Sequence, residues 1–318
     1  MNSDLQLFAE KACAAWGGYS VPPKLIKHRE NAVFGVILKN KGRAALRLHR
    51  PGYKDVKEIQ SEMWWTKILA EKGFSVPCPI ASEKGDNLVQ ISSELVATMI
   101  EWVDGKPIGN AKIPMQGSGK KIYHDLGKLL AELHNITENL NFPDWFLRPL
   151  WDIDGLLGES PNWGKFWESP YLSKDEKRVL ILTRDKAQVM LGKYKLDGAQ
   201  TSLIHADAVR ENVFINKNGL TLIDFDDCGY GFPLYDLATA TIQSLEEKSY
   251  QNRCDAILEG YGKERSLSQT DINLFPTFAM LRVLATSAWI IPRASIGSSV
   301  IEVYKERALK EALNFLQK

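Results

Sequence analysis

The run His205-Ala206-Asp207-Ala208-Val209-Arg210-Glu211-Asn212 is followed, twelve residues after Asn212, by Asp224-Phe225-Asp226-Asp227. Between them, Asn212 to Ile215 and Leu220 to Phe225 are apolar and β-prone, and Asn216-Lys217-Asn218-Gly219 tolerates the positive φ of a tight turn. That pattern predicts a β-hairpin with Asn212 at its start and Asp224 at its end. The two ends of an antiparallel pair lie side by side. An amide oxygen and a carboxylate are therefore expected to meet around one cation. Hard oxygen ligands suit Mg2+, which keeps positions for water and phosphate. Asp207 is then free to take the proton of an attacking hydroxyl, which completes the set that phosphoryl transfer from ATP requires. An Asp and an Asn at this spacing also occur in ordinary polar loops; the hairpin and the second Asp are what separate the two readings.

The first hundred residues fit the same chemistry. Ala32 to Leu38 and Ala44 to His49 read as strands around the turn Lys39 to Arg43, with Leu46 and Leu48 on one face and Arg47 and His49 on the other. Asp55 to Lys72 reads as a helix that Gly73 ends, with Glu62 in its middle. Leu88 to Ile91 and Leu95 to Glu101 complete a sheet. A cation on a strand followed by a Glu on a helix is how protein kinases hold the α- and β-phosphates, and here Arg47 and Glu62 are the candidates. Arg binds phosphate in a fork. No glycine fingerprint covers the phosphates; Glu30-Asn31 stands where that loop belongs. Protein kinases write the downstream part as H-R-D, four residues and N, then D-F-G. Here Ala206 precedes the Asp, a position a methyl tolerates at negative φ.

These blocks together resemble the aminoglycoside phosphotransferase and choline kinase-like family. Glu30-Asn31-Ala32-Val33-Phe34 is similar to its E-N-x-V-[YF] nucleotide loop, and Ala45-Leu46-Arg47-Leu48-His49-Arg50-Pro51 to its V-L-R-L-H-R-P strand. His205 to Asn212 resembles its H-G-D-L-H-x-x-N loop. Ile223-Asp224-Phe225-Asp226-Asp227, then Gly229 to Pro233 and Tyr235-Asp236-Leu237-Ala238, resemble its I-D-F-D-D run and Y-D-L-A segment. The likeness spans roughly residues 25 to 240.

The resemblance implies an α+β, two-lobed protein-kinase-like fold, with an antiparallel N-lobe sheet carrying one helix and a larger, mostly helical C-lobe. The lobes are expected at 1–103, for the nucleotide, and 104–318, for the catalytic loop and acceptor. It implies Asp207 as the base, Asn212 and Asp224 as Mg2+ ligands, and Arg47 with Glu62 as the ATP pair. Met99, Glu101 and Val103 fall in the hinge behind adenine. Arg210 is a candidate to bridge the transferred phosphoryl group, or a solvated loop residue. His205 and Asp236 are expected to brace the loop, and Asp226 and Asp227 are left open between metal contact and ion pairing. The implied activity is ATP- and Mg2+-dependent transfer to a small-molecule hydroxyl of aminoglycoside, amino-alcohol or sugar type. A Ser/Thr kinase of the bacterial stress-response type and an inactive nucleotide-binding scaffold are the alternatives.

The remaining features bound the reading. A chain of 318 residues with formal net charge +1 has no global field to recruit nucleic acid or membrane. No apolar run is expected to reach the roughly 18 residues of a membrane span, and Met1 to Gln6 lacks a secretory pattern. Scattered Cys13, Cys78, Cys228 and Cys254 fit free thiols in a reducing cytoplasm. Helices are expected over 118–135, 173–194, 234–246, 248–262, 270–290 and 299–317. Acceptor groups are sought at Trp151, Asp152, Asp154, Glu159, Trp289 and the Arg282 helix, where carboxylates and aromatic faces would hold an amine. Oligomeric state is not legible.

Overall fold

The computed structural model describes residues 2–113, 115, 119–295 and 298–318. The chain forms two compact units: Met1–Lys106 with Leu140–Arg148 and Phe214–Asp226, and Pro107–Asn139 with Pro149–Val213 and Asp227–Lys318.

The first unit holds a five-stranded sheet in which Tyr19–His28, Ala32–Leu38, Gly42–Leu48, Val96–Glu101 and Leu88–Gln90 are successive neighbours. Every pairing is antiparallel. Strand alternation divides the side chains. Ala44, Leu46 and Leu48 turn into a core with Phe34, Val36 and Met99, closed by Ala9, Ala12 and Trp16 of the N-terminal segment. Arg47, one residue out of phase, stands on the other face. There Val56–Glu71 forms a helix, begun by a capping box in which Asp55 accepts from the amide of Lys57 and Glu58 from that of Asp55. The helix ends before Gly73, whose φ of 85° only glycine adopts readily.

The other two segments of this unit pack against its middle. Ser61 Oγ accepts from the amide of Leu147 at 2.8 Å, and Trp64 meets Phe142 and Phe146. The expected hairpin forms from Val213–Asn216 and Gly219–Leu222. The Ser75 carbonyl accepts from the Leu222 amide at 3.1 Å. The N-terminal helix Asn2–Cys13 and the strand Tyr19–His28 were not anticipated.

The second unit is mostly helical. Its helices are Lys120–Glu138, Lys174–Leu196, Pro233–Thr241, Tyr250–Glu264, Gln269–Trp289 and Ser299–Leu316, with shorter turns between. They fall close to the expected spans; Ser118, where the first was expected to begin, lies outside the described residues. A small sheet sets Gly229–Gly231 between Leu150–Trp151 and Ser202–Ile204. The segment Gln269–Arg293 corrects one expectation: with mean hydropathy 1.6 it is long and apolar enough to cross a membrane. Its apolar window is 72% buried within the protein, as a core helix would be.

Helices Lys120–Glu138 and Tyr250–Glu264 cross where Gly127 and Gly260 face the opposing backbone. A Cβ at Gly127 would collide with the Ile257 carbonyl, and one at Gly260 with the His124 carbonyl. Gly127→Ala should therefore cost about 3 kcal/mol or more, because backbone cannot repack as a side chain does. Gly192, in a helix interior with nothing within 4 Å of its would-be Cβ, makes the control. Gly192→Ala should stabilise by about 0.5–1 kcal/mol through helix propensity. Urea unfolding of both variants checks the contrast; equal effects would contradict it.

Candidate active site

In the first unit the side chains gather on Arg47. Its guanidinium donates to Glu62 Oε1 and to Asp224 Oδ1, each at 3.0 Å, and lies 3.9 Å from Asp226 Oδ1. Burial would lower the Arg47 pKa, but Glu62, Asp224 and Asp226 more than offset it and hold it above its ordinary value. Burial pushes Glu62 up, against the pull of Arg47, and Asp226 adds to the rise. Arg148 ties the Asp-bearing loop to the helix, donating to the carbonyls of Glu58, Phe225 and Asp226.

This cluster holds more carboxylate than cation. Glu62 Oε2 and Asp226 Oδ1 are buried with no hydrogen-bond partner, and Asp224 is 34% exposed. A divalent cation fits that deficit. Among the described residues no group of three or more His, Cys, Asp or Glu side chains could enclose a metal alone. Mg2+ asks for less, since it is usually held by one or two carboxylates plus phosphate and water.

A cleft of about 460 Å³ opens in the same unit, lined by Phe74, Val76, Glu101, Trp102, Val103 and Asp104 among others. Its volume falls within the range of small-molecule sites. Of the expected hinge residues, Glu101 and Val103 line the cleft, while Met99 is fully buried in the core and gives only its carbonyl, to the amide of Ile80. Glu101 Oε2 accepts from the amide of Cys78 at 3.1 Å. Glu30 and Asn31 lie at the turn before Ala32, where Asn31 Oδ1 accepts from the amide of Arg50.

In the second unit the loop after Ser202–Ile204 presents Asp207. Asn212 Nδ2 donates to Asp207 Oδ2 at 2.8 Å and to its carbonyl at 2.9 Å. The nitrogen of that amide is thus engaged, and its oxygen is the atom offered to a cation. Arg282 Nη2 donates to Asp207 Oδ1 at 2.6 Å. The Asp207 side chain is 23% exposed. His205 is buried, and its Nδ1 accepts from the Asp207 amide at 3.2 Å.

Ala206 departs from the expectation: its φ is +64°, in the left-handed region, where a Cβ costs about 1–2 kcal/mol. Asp236 supplies the compensation. Its Oδ1 accepts from the Ala206 amide at 2.6 Å and its Oδ2 from the His205 amide at 2.8 Å. Hydrogen bonds to a charged acceptor are worth about 1.5–3 kcal/mol each, enough to outweigh the strain. Asp236 itself is fixed by His134 at 3.1 Å. Asp224 shares the same backbone region, at φ +64°. Backbone strain at Ala206 and Asp224 is of the kind functional loops show.

Arg210 corrects both expectations placed on it. It is 1% exposed, so it is no solvated loop residue. Its guanidinium is spent on Tyr123 Oη, Ser244 Oγ and Glu247 Oε1, which leaves it a brace rather than a bridge to phosphate. The acceptor candidates are also largely structural. Asp152 caps the Ile153–Leu157 turn, Glu159 pairs with Arg184, and Trp151 is buried, donating to the Asp227 carbonyl. Of the two aspartates left open, Asp226 stands beside Arg47, and the Asp227 carbonyl accepts from Trp151. Arg282, on the helix named among the acceptor candidates, meets Asp207 itself.

The fold is of the protein-kinase-like kind. Residues 24–269 match the model of the phosphotransferase enzyme family, and the chain belongs to that family. It is 22% identical over 287 residues to the amicoumacin kinase of Bacillus subtilis (strain 168), covering 87% of this chain and 82% of that one. It is 25% identical over 260 residues to the homoserine kinase of Agrobacterium fabrum, covering 79% and 72%. Among solved structures, a microcompartment-associated aminopropanol kinase superposes with a TM-score of 0.81 at 24% identity, covering 97% of this chain and 94% of that one. An amicoumacin kinase in complex with AMP-PNP, Ca2+ and Ami gives 0.76 at 17% identity, covering 98% and 96%. The chain is therefore a small-molecule phosphotransferase, an enzyme of kinase type.

His49 provides a test of the Arg47 environment. Its Nε2 lies 2.9 Å from Thr98 Oγ1. Burial, with Arg47 nearby, pushes its imidazole down to about 3. The unfolded chain takes up this proton near pH ~6.5 and the fold does not until far lower. The His49 contribution to stability is thus full above that pH and is lost as pH falls towards the folded value. At about 1.4 kcal/mol per pH unit, wild type should lose roughly 2 kcal/mol more than His49→Gln between pH ~6.5 and ~5. Urea unfolding at both pH values measures this, and parallel losses would contradict it.

Proposed function

We propose that this enzyme transfers the γ-phosphoryl group of ATP to a hydroxyl of a small, amine-bearing molecule in the cytoplasm. The observation that carries the reading is the Arg47 cluster, in which one buried guanidinium holds both the helix Glu62 and the Asp224 that follows the hairpin. The named substrates of the relatives, amicoumacin, homoserine and aminopropanol, support the acceptor class.

Each residue then has a role. Adenine enters the cleft at Glu101 and Val103, and Arg47 turns its fork to the phosphates, with Glu62 keeping it oriented. Glu30 and Asn31 supply the turn over the phosphates. Asn212 Oδ1 and Asp224 would hold Mg2+, which would supply positive charge to the phosphates. Asp207 positions the acceptor hydroxyl and takes its proton as the acceptor oxygen bonds to the γ-phosphorus. The bond from that phosphorus to the β-phosphate oxygen breaks, and ADP leaves with the electron pair.

Two substitutions separate these roles. Asp207→Asn should keep ATP affinity while turnover falls about 10²–10⁴-fold; retained turnover would refute the base. Asp224→Ala should remove the Mg2+ dependence of ATP binding measured by calorimetry; unchanged affinity with and without Mg2+ would move the metal elsewhere. ADP release across homoserine, 1-amino-2-propanol, choline, sugars and aminoglycosides identifies the acceptor. Stimulation by sugars alone would contradict the amine-bearing class.

A further inference from the structure

Sequence motifs lead to Asp207 and stop there. The structure adds a cation beside it. Arg282 lies in the apolar helix Gln269–Trp289, 75 residues after Asp207, and is only 4% exposed. A buried guanidinium on an otherwise apolar helix is costly unless its charge is met. Its Nη2 donates to Asp207 Oδ1 at 2.6 Å and its Nη1 to the Ala206 carbonyl at 3.2 Å. The Arg282 guanidinium carbon lies over the Trp163 ring, 4.3 Å from its centroid. Trp163 is itself wedged between Trp151 and Trp289.

The pieces form a clamp. Asn212 takes one Asp207 oxygen and Arg282 takes the other. The Arg282 fork also secures the carbonyl of the strained residue just before it. A carboxylate held through both oxygens has its direction set, and 23% of the side chain is exposed. Trp163 keeps the fork in plane, as aromatic faces do for arginine.

We infer that Arg282, backed by Trp163, is a positioning residue that sets the orientation of the Asp207 carboxylate for the acceptor hydroxyl. This rests on Asp207 being the proton acceptor. Lysine cannot replace it, because an ammonium is a point charge that cannot serve Asp207 and the Ala206 carbonyl as a planar fork.

The experiment compares Arg282→Lys, Arg282→Ala and Asp207→Asn by ADP release from Mg–ATP. The acceptor is whichever panel compound stimulates most, or water where none does. Arg282→Lys, which keeps a buried charge, should lower kcat about 100-fold while the KM for ATP stays within about threefold. Guanidinium at low millimolar concentration should restore part of the kcat of Arg282→Ala, and sodium at the same ionic strength should not. Wild-type kcat in Arg282→Lys overturns the inference. So does a raised ATP KM at unchanged kcat, or a folded Arg282→Ala that guanidinium leaves inactive. If Arg282→Ala does not fold, Arg282→Lys decides alone. An active Asp207→Asn would instead remove the reading beneath it, whereas an inactive Asp207→Asn with a wild-type Arg282→Lys removes the clamp only.

Discussion

One guanidinium organises the first unit of this enzyme. Arg47 lies out of phase with the apolar residues of its strand, so the same alternation that buries Leu46 and Leu48 delivers it to the opposite face. There it meets a carboxylate from a helix and two from the turn after the hairpin. Removing one partner of a buried ion pair costs about 3–5 kcal/mol because the other charge is stranded. Strand, helix and turn are therefore held to one arrangement by electrostatics as much as by packing. The cluster also holds more carboxylate than cation, a deficit that a divalent cation would meet. Its burial is a liability until that ligand arrives, and the unpartnered oxygens of Glu62 and Asp226 are where it is felt.

The loop that presents Asp207 solves a different problem. Ala206 occupies a conformation that glycine would adopt freely, and two hydrogen bonds to Asp236, with Arg282 on the carbonyl, keep it there. Strain is placed one residue before Asp207 and countered by groups from two other helices. Side-chain direction at Asp207 is then set by Asn212 and Arg282. The loop is also held by its own residues, Arg210 reaching Tyr123, Ser244 and Glu247, and His205 and Asn212 bonding Asp207.

What could be read beforehand follows from range. Asp207, Asn212 and Asp224 lie within one supersecondary unit, and Arg47 and Glu62 are placed by strand period and helix order, so local pattern reaches them. The helix Asn2–Cys13 was also available, through Leu5, Phe8, Ala9 and Ala12 at helical spacing, and went unread. The strand Tyr19–His28 is harder, since Pro22-Pro23 argues against a strand except at an edge, which is where it lies. Arg210 was misjudged because its partners, Tyr123, Ser244 and Glu247, are far away in sequence. Arg282 carried one signal, a lone cation in a run of apolar residues, and only tertiary structure could say which carboxylate it serves.

The account stands on movement of a phosphoryl group to a small hydroxyl. ³¹P NMR of the enzyme with Mg–ATP and the amino-alcohol panel tests it most directly. The account predicts a phosphomonoester resonance growing as ADP accumulates, absent in Asp207→Asn. ATP that remains intact with every acceptor, or phosphate released only to water in both proteins alike, would contradict it.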